Sequence, residues 1–384
     1  MIVMKFGGTS LKDVNAWETL ARIVSRSLQR RPVVVVSAIA GITDQLVQCA
    51  ETVLSGRKNE VFQIFERIST THFELCDSLA IHRSTRFATA TRLRELQNVL
   101  QSICTLKELT PATRDRILSF GELLSAPLVA AFLLSSGISA RFVDSRDVLI
   151  TDSSHGRARP DLRKSRKRLR QLLHPVLDAN QIAVIPGFTG ATENGSVTTL
   201  GRGGSDFSAA IIGTLLGAGE IQIWKTVPGF MTADPMLVPD AETISRLGYV
   251  EAEQLCRHGA RVLHPLTVRV ASRRGMPVRV LHTIHPDHPG TLISGDPGTM
   301  PPFVGITSRN ELVTVVGCAA ARAESAAKIL LLVKDLPVTA IRASGNRMTL
   351  MVVDDQAATA VRRIHAALNS SNSGSFAFAG LRWE

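Results

Sequence analysis

Ile2-Val3-Met4-Lys5-Phe6-Gly7-Gly8-Thr9-Ser10 and Pro32-Val33-Val34-Val35-Val36-Ser37 are two apolar runs near the start of the chain, each ending in small polar residues. An apolar run without polar alternation suits a strand buried on both faces. Further runs lie at Ala140 to Val143, Gln181 to Pro186, Glu220 to Trp224 and Val278 to Leu281, with helical stretches between them. This pattern predicts an α/β fold, a mostly parallel sheet sandwiched by helices. Open sheets of that kind bind ligands outside the carboxyl ends of their strands, where Lys5, Gly7, Gly8 and Ser37 fall. The stretch from Ser55 to Leu109 has no strand-like run and predicts two or more helices beside the sheet.

A second glycine-rich run, Thr199-Leu200-Gly201-Arg202-Gly203-Gly204-Ser205-Asp206, pairs with the first. Glycines at a strand exit let backbone N–H groups approach an anion closely. Lys5 adds a point charge, and Arg202 a planar fork that suits a carboxylate. Neither run is a Walker loop, because no G-K-[ST] follows the glycines. Converging on one crevice, the two would bind a phosphoryl donor and an anionic acceptor.

Length and composition bound the alternatives. With 384 residues and 45% hydrophobic content the chain can bury one large core plus a smaller domain. Its five cysteines (Cys49, Cys76, Cys104, Cys256, Cys318) are odd in number and contain no C-x-x-C pair. They read as buried thiols in a reducing cytoplasm rather than as a disulfide framework or zinc site. The start Met-Ile-Val-Met-Lys offers no secretory signal, and no uninterrupted apolar run is long enough to span a bilayer, so no membrane role is expected. A net charge of +11 would suit a nucleic-acid binder. However, the densest basic cluster, Arg163 to Arg170, has no interleaved aromatics, and Leu162, Leu169, Leu172 and Leu173 give it the stripe of an amphipathic helix with a wet basic face. No nucleic-acid partner is expected.

The run G-D-P-G-T-M-P-P at 295 to 302 loses all periodicity and marks a linker. Domains are thus expected at 1–297 and 303–384. The second reads strand (Leu312 to Val316), helix (Ala323 to Val333), strand (Val338 to Arg342), strand (Met348 to Val353), helix (Ala357 to Leu368), strand (Phe376 to Trp383), a ferredoxin-like βαββαβ order.

Among isolated candidates, the hydroxyls of Ser37 and Thr43 suit either an acceptor substrate or a helix cap. Glu122 is one acid in an otherwise apolar helical run to Leu134, costly if buried unless paired with a cation. His264 reads as a helix-ending histidine, with no Ser or Cys nearby to make a triad. No His/Cys/Asp/Glu cluster suggests a metal site, so any Mg²⁺ would be held by nucleotide phosphates and water.

Together, K-F-G-G-T-S (5–10), V-V-S-A-I-A-G-I-T-D (35–44), S-F-G-E-L-L-S (119–125), G-F-T-G (187–190), N-G-S-V-T-T-L-G-R-G-G-S-D (194–206), G-A-R-V-L-H-P (259–265) and P-G-T-L-I (289–293) resemble the aspartokinases of the amino acid kinase family. The resemblance implies ATP-dependent phosphorylation of the side-chain carboxylate of L-aspartate. By it, Lys5 stabilises the transferring phosphoryl group, Asp206 positions Lys5, and Gly7, Gly8 and Ser10 contact phosphates. Ser37, Thr43, Glu122, Arg202 and Ser205 would hold aspartate, with Glu122 on its amino group and Arg202 on a carboxylate. Nucleotide contacts would fall on Lys225, Thr226, Met231, Met236 and Arg261. Here the chain departs from the family's W-T-D-V-x-G-x-Y-T-A-D-P-R: an acid becomes Thr226, an aromatic Met231 and an arginine Met236, while Arg261 stands where lysine is usual.

The C-terminal unit resembles an ACT domain. Aspartokinases commonly carry two in tandem, whereas the length here admits one, and Cys318 to Arg322 replaces the expected glycine-containing turn. A homodimer with this unit as its candidate interface, and a place in lysine and threonine biosynthesis, follow from the resemblance. Two alternatives stay open: a divergent kinase with another small acceptor or nucleotide, and a catalytically silent ACT-containing binding subunit.

Overall fold

Ile2–Phe6 (β1) and Pro32–Val36 (β2) form adjacent parallel strands in which every residue is buried. The computed structural model describes residues 1–353 and 355–372. Helix α1 (Val14–Ser25) lies between the two strands in sequence and starts at Asp13, whose carboxylate accepts from the Ala16 N–H. Four helices follow β2: α2 (Ile42–Leu54), α3 (Lys58–Ser78), α4 (Arg83–Leu106) and α5 (Pro111–Ser135). The strandless stretch after Ser55 is therefore helical, as its composition predicts. Next come β3 (Ala140–Phe142), α6 (Ser145–Val148), α7 (Leu162–Asp178) and β4 (Ile182–Pro186). The hairpin β5 (Thr189–Ala191) and β6 (Val197–Thr199) leads into α8 (Gly204–Leu216) and β7 (Glu220–Lys225). Beyond these lie β8 (Arg246–Gly248), α9 (Tyr249–His258), α10 (Pro265–Ser272), β9 (Val278–His282) and β10 (Thr291–Ser294). The last elements are β11 (Gly305–Arg309), β12 (Leu312–Val316), α11 (Ala323–Leu332), β13 (Val338–Ser344), β14 (Arg347–Val352) and α12 (Ala357–Asn372).

Two compact units result, 1–226 with 276–288 and 227–275 with the chain from 289 onward. Residues 227–275 and 289–297, assigned by the linker reading to the first domain, cluster spatially with the C-terminal strands. In the first unit the strands run β3-β4-β2-β1-β7-β9, every neighbouring pair parallel. Strand periodicity sorts their side chains onto two faces. Met4, Phe6, Val34 and Val36 join the core that includes Trp17, Leu46 and Leu128. The other face, with Val3 and Ile221, meets α8, where a Cβ on Gly213 would lie 2.6 Å from Ile221 and 3.5 Å from Val3. Only glycine lets this helix sit so close.

In the second unit β8 and β10 pair in parallel, and an antiparallel sheet runs β11-β12-β14-β13. The five elements expected from Leu312 to Leu368 form. The expected last strand, 376–383, lies outside the described residues. Strand β11 was not anticipated; it takes the edge beside β12.

Several local expectations change. Leu169 and Leu173 of α7 are buried, but Leu162 and Leu172 are exposed, so the apolar stripe is narrower than the sequence suggested. Cys49, Cys76 and Cys104 are buried, whereas Cys256 is half-buried and Cys318 exposed. His264 begins a helix rather than ending one, its Nδ1 accepting from the Leu266 N–H at the start of α10. Contrary to the run-length reading, α5 is long and apolar enough to cross a membrane, but 83% of its most apolar window is buried within the fold. It contacts β2, β3, β4, α2 and α4, as a core helix does.

Candidate active site

Lys5 is the fourth residue of β1 and shares with Val3 the face that α8 covers. In the β1–β7 register Lys5 stands opposite Ile223, and Lys225, two residues further along β7, points to the same face. Two lysines from neighbouring strands thus reach the first turn of α8 together. Asp206 sits between them, with Lys5 Nζ 2.6 Å from Oδ1 and Lys225 Nζ 2.9 Å from Oδ2. Burial pushes the Asp206 carboxyl up, but the two ammonium groups outweigh it and hold the group at about 2. Burial also lowers Lys5, an effect that Asp206 opposes and the like charge of Lys225 reinforces. Lys225 was expected here as a nucleotide contact; its pairing with Asp206 was not foreseen.

The glycines are placed by necessity. A Cβ on Gly8 would meet the Ala38 carbonyl at 2.7 Å, so the loop after β1 lies directly on the loop after β2. Gly7 precedes a single 3₁₀ turn, Gly8 to Leu11, in which the Ser10 N–H donates to the Gly7 carbonyl. Ser10 Oγ lies 3.3 Å from Thr283 Oγ1, which donates to the Lys225 carbonyl. His282 Nδ1 accepts from the N–H groups of Ile284 and His285, fixing the turn that carries Thr283. This support after β9 was also not foreseen.

Glu122 comes from α5 on the opposite side of the sheet edge. Gly121 lets that helix close on the loop after β2 and the start of α2, since a Cβ there would lie 2.8 Å from Ala38 Cβ and 3.8 Å from Thr43 Oγ1. The Glu122 carboxylate accepts from the Ala38 N–H and, at 3.3 Å, from the Ser205 hydroxyl. Its Oε2 is buried without a hydrogen-bond partner. Burial raises the carboxyl to about 7, against the opposing pull of these donors and of the Lys5 charge. Ser37 lies at the same edge, its carbonyl accepting from Ser125 of α5.

Ser205 opens α8 beside Gly187, where a Cβ would come within 2.6 Å of Ser205 Cβ. No side chain caps this helix, whose preceding residue, Gly203, has a φ of 70°. Its N-terminal N–H groups therefore favour an anion. Arg202 is exposed on the turn just before it. Phe188 holds a φ of 64° between two hydrogen bonds, donating to Ser208 Oγ and accepting from the Leu200 N–H. A non-glycine backbone in this region is kept only when its surroundings impose it.

Lys5, Gly7, Gly8, Ser10, Ser37, Thr43, Glu122, Arg202, Ser205, Asp206, Lys225 and Thr226 all belong to the first unit, most of them at the carboxyl ends of its strands. Met231, Met236 and Arg261 belong to the second unit, with Met236 88% exposed. Among the described residues no group of three or more His, Cys, Asp or Glu side chains is placed to hold a metal ion.

A parallel α/β sheet that gathers two lysines, a bridging aspartate and an uncapped helix start at its carboxyl edge is built to bind an anionic group and neutralise its charge. The amino acid kinase family profile matches residues 1–282, and the chain belongs to that family. Its relatives include several aspartokinases. Lysine-sensitive aspartokinase 3 of Escherichia coli K12 is 35% identical over 321 residues, covering 80% of this chain and 67% of that protein. The aspartokinase of Chlamydia pneumoniae is 36% identical over 294 residues, covering 76% of this chain and 62% of that one. The crystal structure of E. coli aspartokinase III with aspartate and ADP, in its R state, superposes with a TM-score of 0.86 at 25% identity, over 95% of this chain and 99% of the other.

Proposed function

We propose that the chain transfers the γ-phosphoryl group of ATP to the side-chain carboxylate of L-aspartate, giving 4-phospho-L-aspartate. The observation that carries the acceptor assignment is Glu122, a buried carboxylate with an unpartnered oxygen beside the Lys5–Asp206 pair. Such a group is costly to ionise unless a cation joins it, and the ammonium of an amino acid is that cation. Arg202, exposed on the turn before α8, would clamp the α-carboxylate, with Ser37, Thr43 and Ser205 as neutral donors.

The nucleophile is already ionised at neutral pH, so the reaction needs no general base. Catalysis then rests on positioning and charge neutralisation. Lys5 and Lys225 face the transferring phosphoryl group, and Asp206 holds both ammonium groups in place. The backbone of Gly7 to Ser10 and the start of α8 offer N–H groups to phosphate oxygens. Mg²⁺ would enter bound to the nucleotide phosphates and shield their charge. Lys225 and Thr226 favour one variant of this reading, in which a nucleotide other than ATP is preferred.

The four-stranded C-terminal sheet supports an ACT-type unit, and we assign the chain to the cytoplasm and to the route toward lysine and threonine. Strand β13, at the edge of its sheet among the described residues and largely exposed, suits pairing in a homodimer, which light scattering of the purified protein would test. The activity itself is tested by hydroxamate formation with aspartate, glutamate or asparagine against a panel of nucleotides. Turnover with aspartate and ATP is expected. Amino acid binding with no turnover on any nucleotide would point to a silent subunit instead.

A further inference from the structure

Asp115 lies in the first turns of α5, 1% exposed, and has no part in the site described above. Its carboxylate receives donors only. Oδ1 accepts from the Thr199 hydroxyl at 2.6 Å and the Gly156 N–H at 3.0 Å. Oδ2 accepts from the Thr199 N–H at 2.9 Å, the Gly156 N–H at 2.9 Å and His155 Nδ1 at 3.0 Å. Since a carboxylate cannot donate, His155 carries its proton on Nδ1. An asparagine here would turn an NH₂ toward N–H donors, so the site selects an acceptor-only group.

Asp115 and Glu122 are seven residues apart on one helix, hence on one face and about 10 Å apart along its axis. Both reach the same downstream segment: Asp115 binds Thr199, and Glu122 accepts from Ser205. The loop Leu200-Gly201-Arg202-Gly203-Gly204 is therefore tied at both ends to α5. Its middle is braced as well. Gly201, at a φ of 79°, would bring a Cβ within 2.9 Å of the Gly156 carbonyl, and Gly156 is the residue whose N–H Asp115 holds.

We propose that Asp115 is a positioning residue for the acceptor loop: it fixes Thr199 and Gly156 so that α5 sets the spacing between Glu122 and Arg202. This rests on the reading of Glu122 and Arg202 as the two ends of an amino-acid subsite. A carboxylate that served packing alone would lower stability on loss without discriminating between the substrates. One that sets the loop affects the acceptor and spares the donor.

The test compares Asp115→Asn, Thr199→Val, Thr199→Ser and Arg202→Ala in the full chain, with KM for aspartate, KM for ATP, kcat and Tm measured for each. Asp115→Asn is expected to raise the aspartate KM at least tenfold and leave the ATP KM within twofold. Thr199→Val, which keeps the backbone N–H, should raise the aspartate KM about threefold, and Thr199→Ser, which restores the hydroxyl, should return it to normal. A fall in Tm with both KM values unchanged, or an equal rise in both, overturns the proposal. If Asp115→Asn does not fold, an unchanged aspartate KM in Thr199→Val overturns it alone. Arg202→Ala separates the two levels. If it leaves the aspartate KM unchanged, the subsite reading fails; if it raises that KM while Asp115→Asn does not, only the positioning role fails.

Discussion

Replacing Glu122 by glutamine should stabilise the ligand-free protein at alkaline pH while weakening its hold on aspartate. The wild-type carboxyl titrates from an ordinary value of 4.5 in the unfolded chain to about 7 in the fold. Below 4.5 the group is neutral in both states and costs nothing. Between these two values the folded state keeps a proton that the unfolded state has lost, and stability declines as pH rises. Above 7 both states are ionised, and the full difference of about 2.5 units is expressed, on the order of 3 kcal/mol. Glutamine never ionises, so the stability gap between variant and wild type should open from near zero at pH 4.5 toward that value at pH 8. One hydrogen bond is reshaped by the amide, from Ala38 or from Ser205, which makes about 3 kcal/mol an upper figure. Aspartate binding should move the other way. Losing a buried partner for an ammonium costs about 2–4 kcal/mol, some 30-fold or more in KM. Denaturant unfolding at pH 5 and pH 8, with aspartate titrated calorimetrically into the native proteins, reads both effects. A variant that gains no stability between pH 5 and pH 8, or that binds aspartate as tightly as wild type, would refute the assignment of Glu122 as an ammonium partner.

Three further outcomes follow from the charges around Asp206 and Glu122. In wild type, kcat/KM for aspartate should fall about tenfold per pH unit below pH 7, as Glu122 takes up its proton, while KM for ATP stays flat; a flat profile from pH 6 to 8 would place the ammonium elsewhere. Asp206→Asn should cost about 2 kcal/mol at neutral pH, because a carboxyl lowered from 3.8 to about 2 contributes stability that is present above 3.8 and lost as pH falls through 2. The stability gap between wild type and variant should close as pH falls from 3.8 toward 2, and a gap that stays constant over that range would count against the clamp. Lys225→Met should lower kcat tenfold or more with little change in aspartate KM, as measured by steady-state kinetics, whereas a normal kcat would leave Lys5 as the sole phosphoryl-facing cation.

Much of the first unit was legible because burial on both faces leaves a direct trace: Val33 to Val36 can hardly be anything but an inner strand. The same logic placed Lys5 at a strand end, and the glycine runs located the two loops. The hairpin of β5 and β6 and the edge strand β11 were missed because they are short or half-polar, so period-two alternation is weak in them. The pairing of Lys225 with Asp206 depends on which strands are neighbours, information that the order of residues does not carry. Asp115 had a signal after all, its seven-residue offset from Glu122, but one acid near a helix start reads locally as a favourable dipole partner. The compact units are the clearest case. Covalent linkers announce themselves by glycine and proline, whereas the excursion of 227–275 away from the first unit is a matter of packing.

Isotope tracing tests the central claim most directly. Aspartate carrying ¹⁸O in its side-chain carboxylate is incubated with ATP and the protein, and the product is cleaved with hydroxylamine, which attacks the acyl carbon and releases phosphate. If the carboxylate attacks the γ-phosphorus in a site built on Lys5, Asp206 and Lys225, the released phosphate carries one ¹⁸O atom and the signal vanishes in Lys5→Ala. Phosphate without the label, or a labelled product undiminished in Lys5→Ala, would contradict the account.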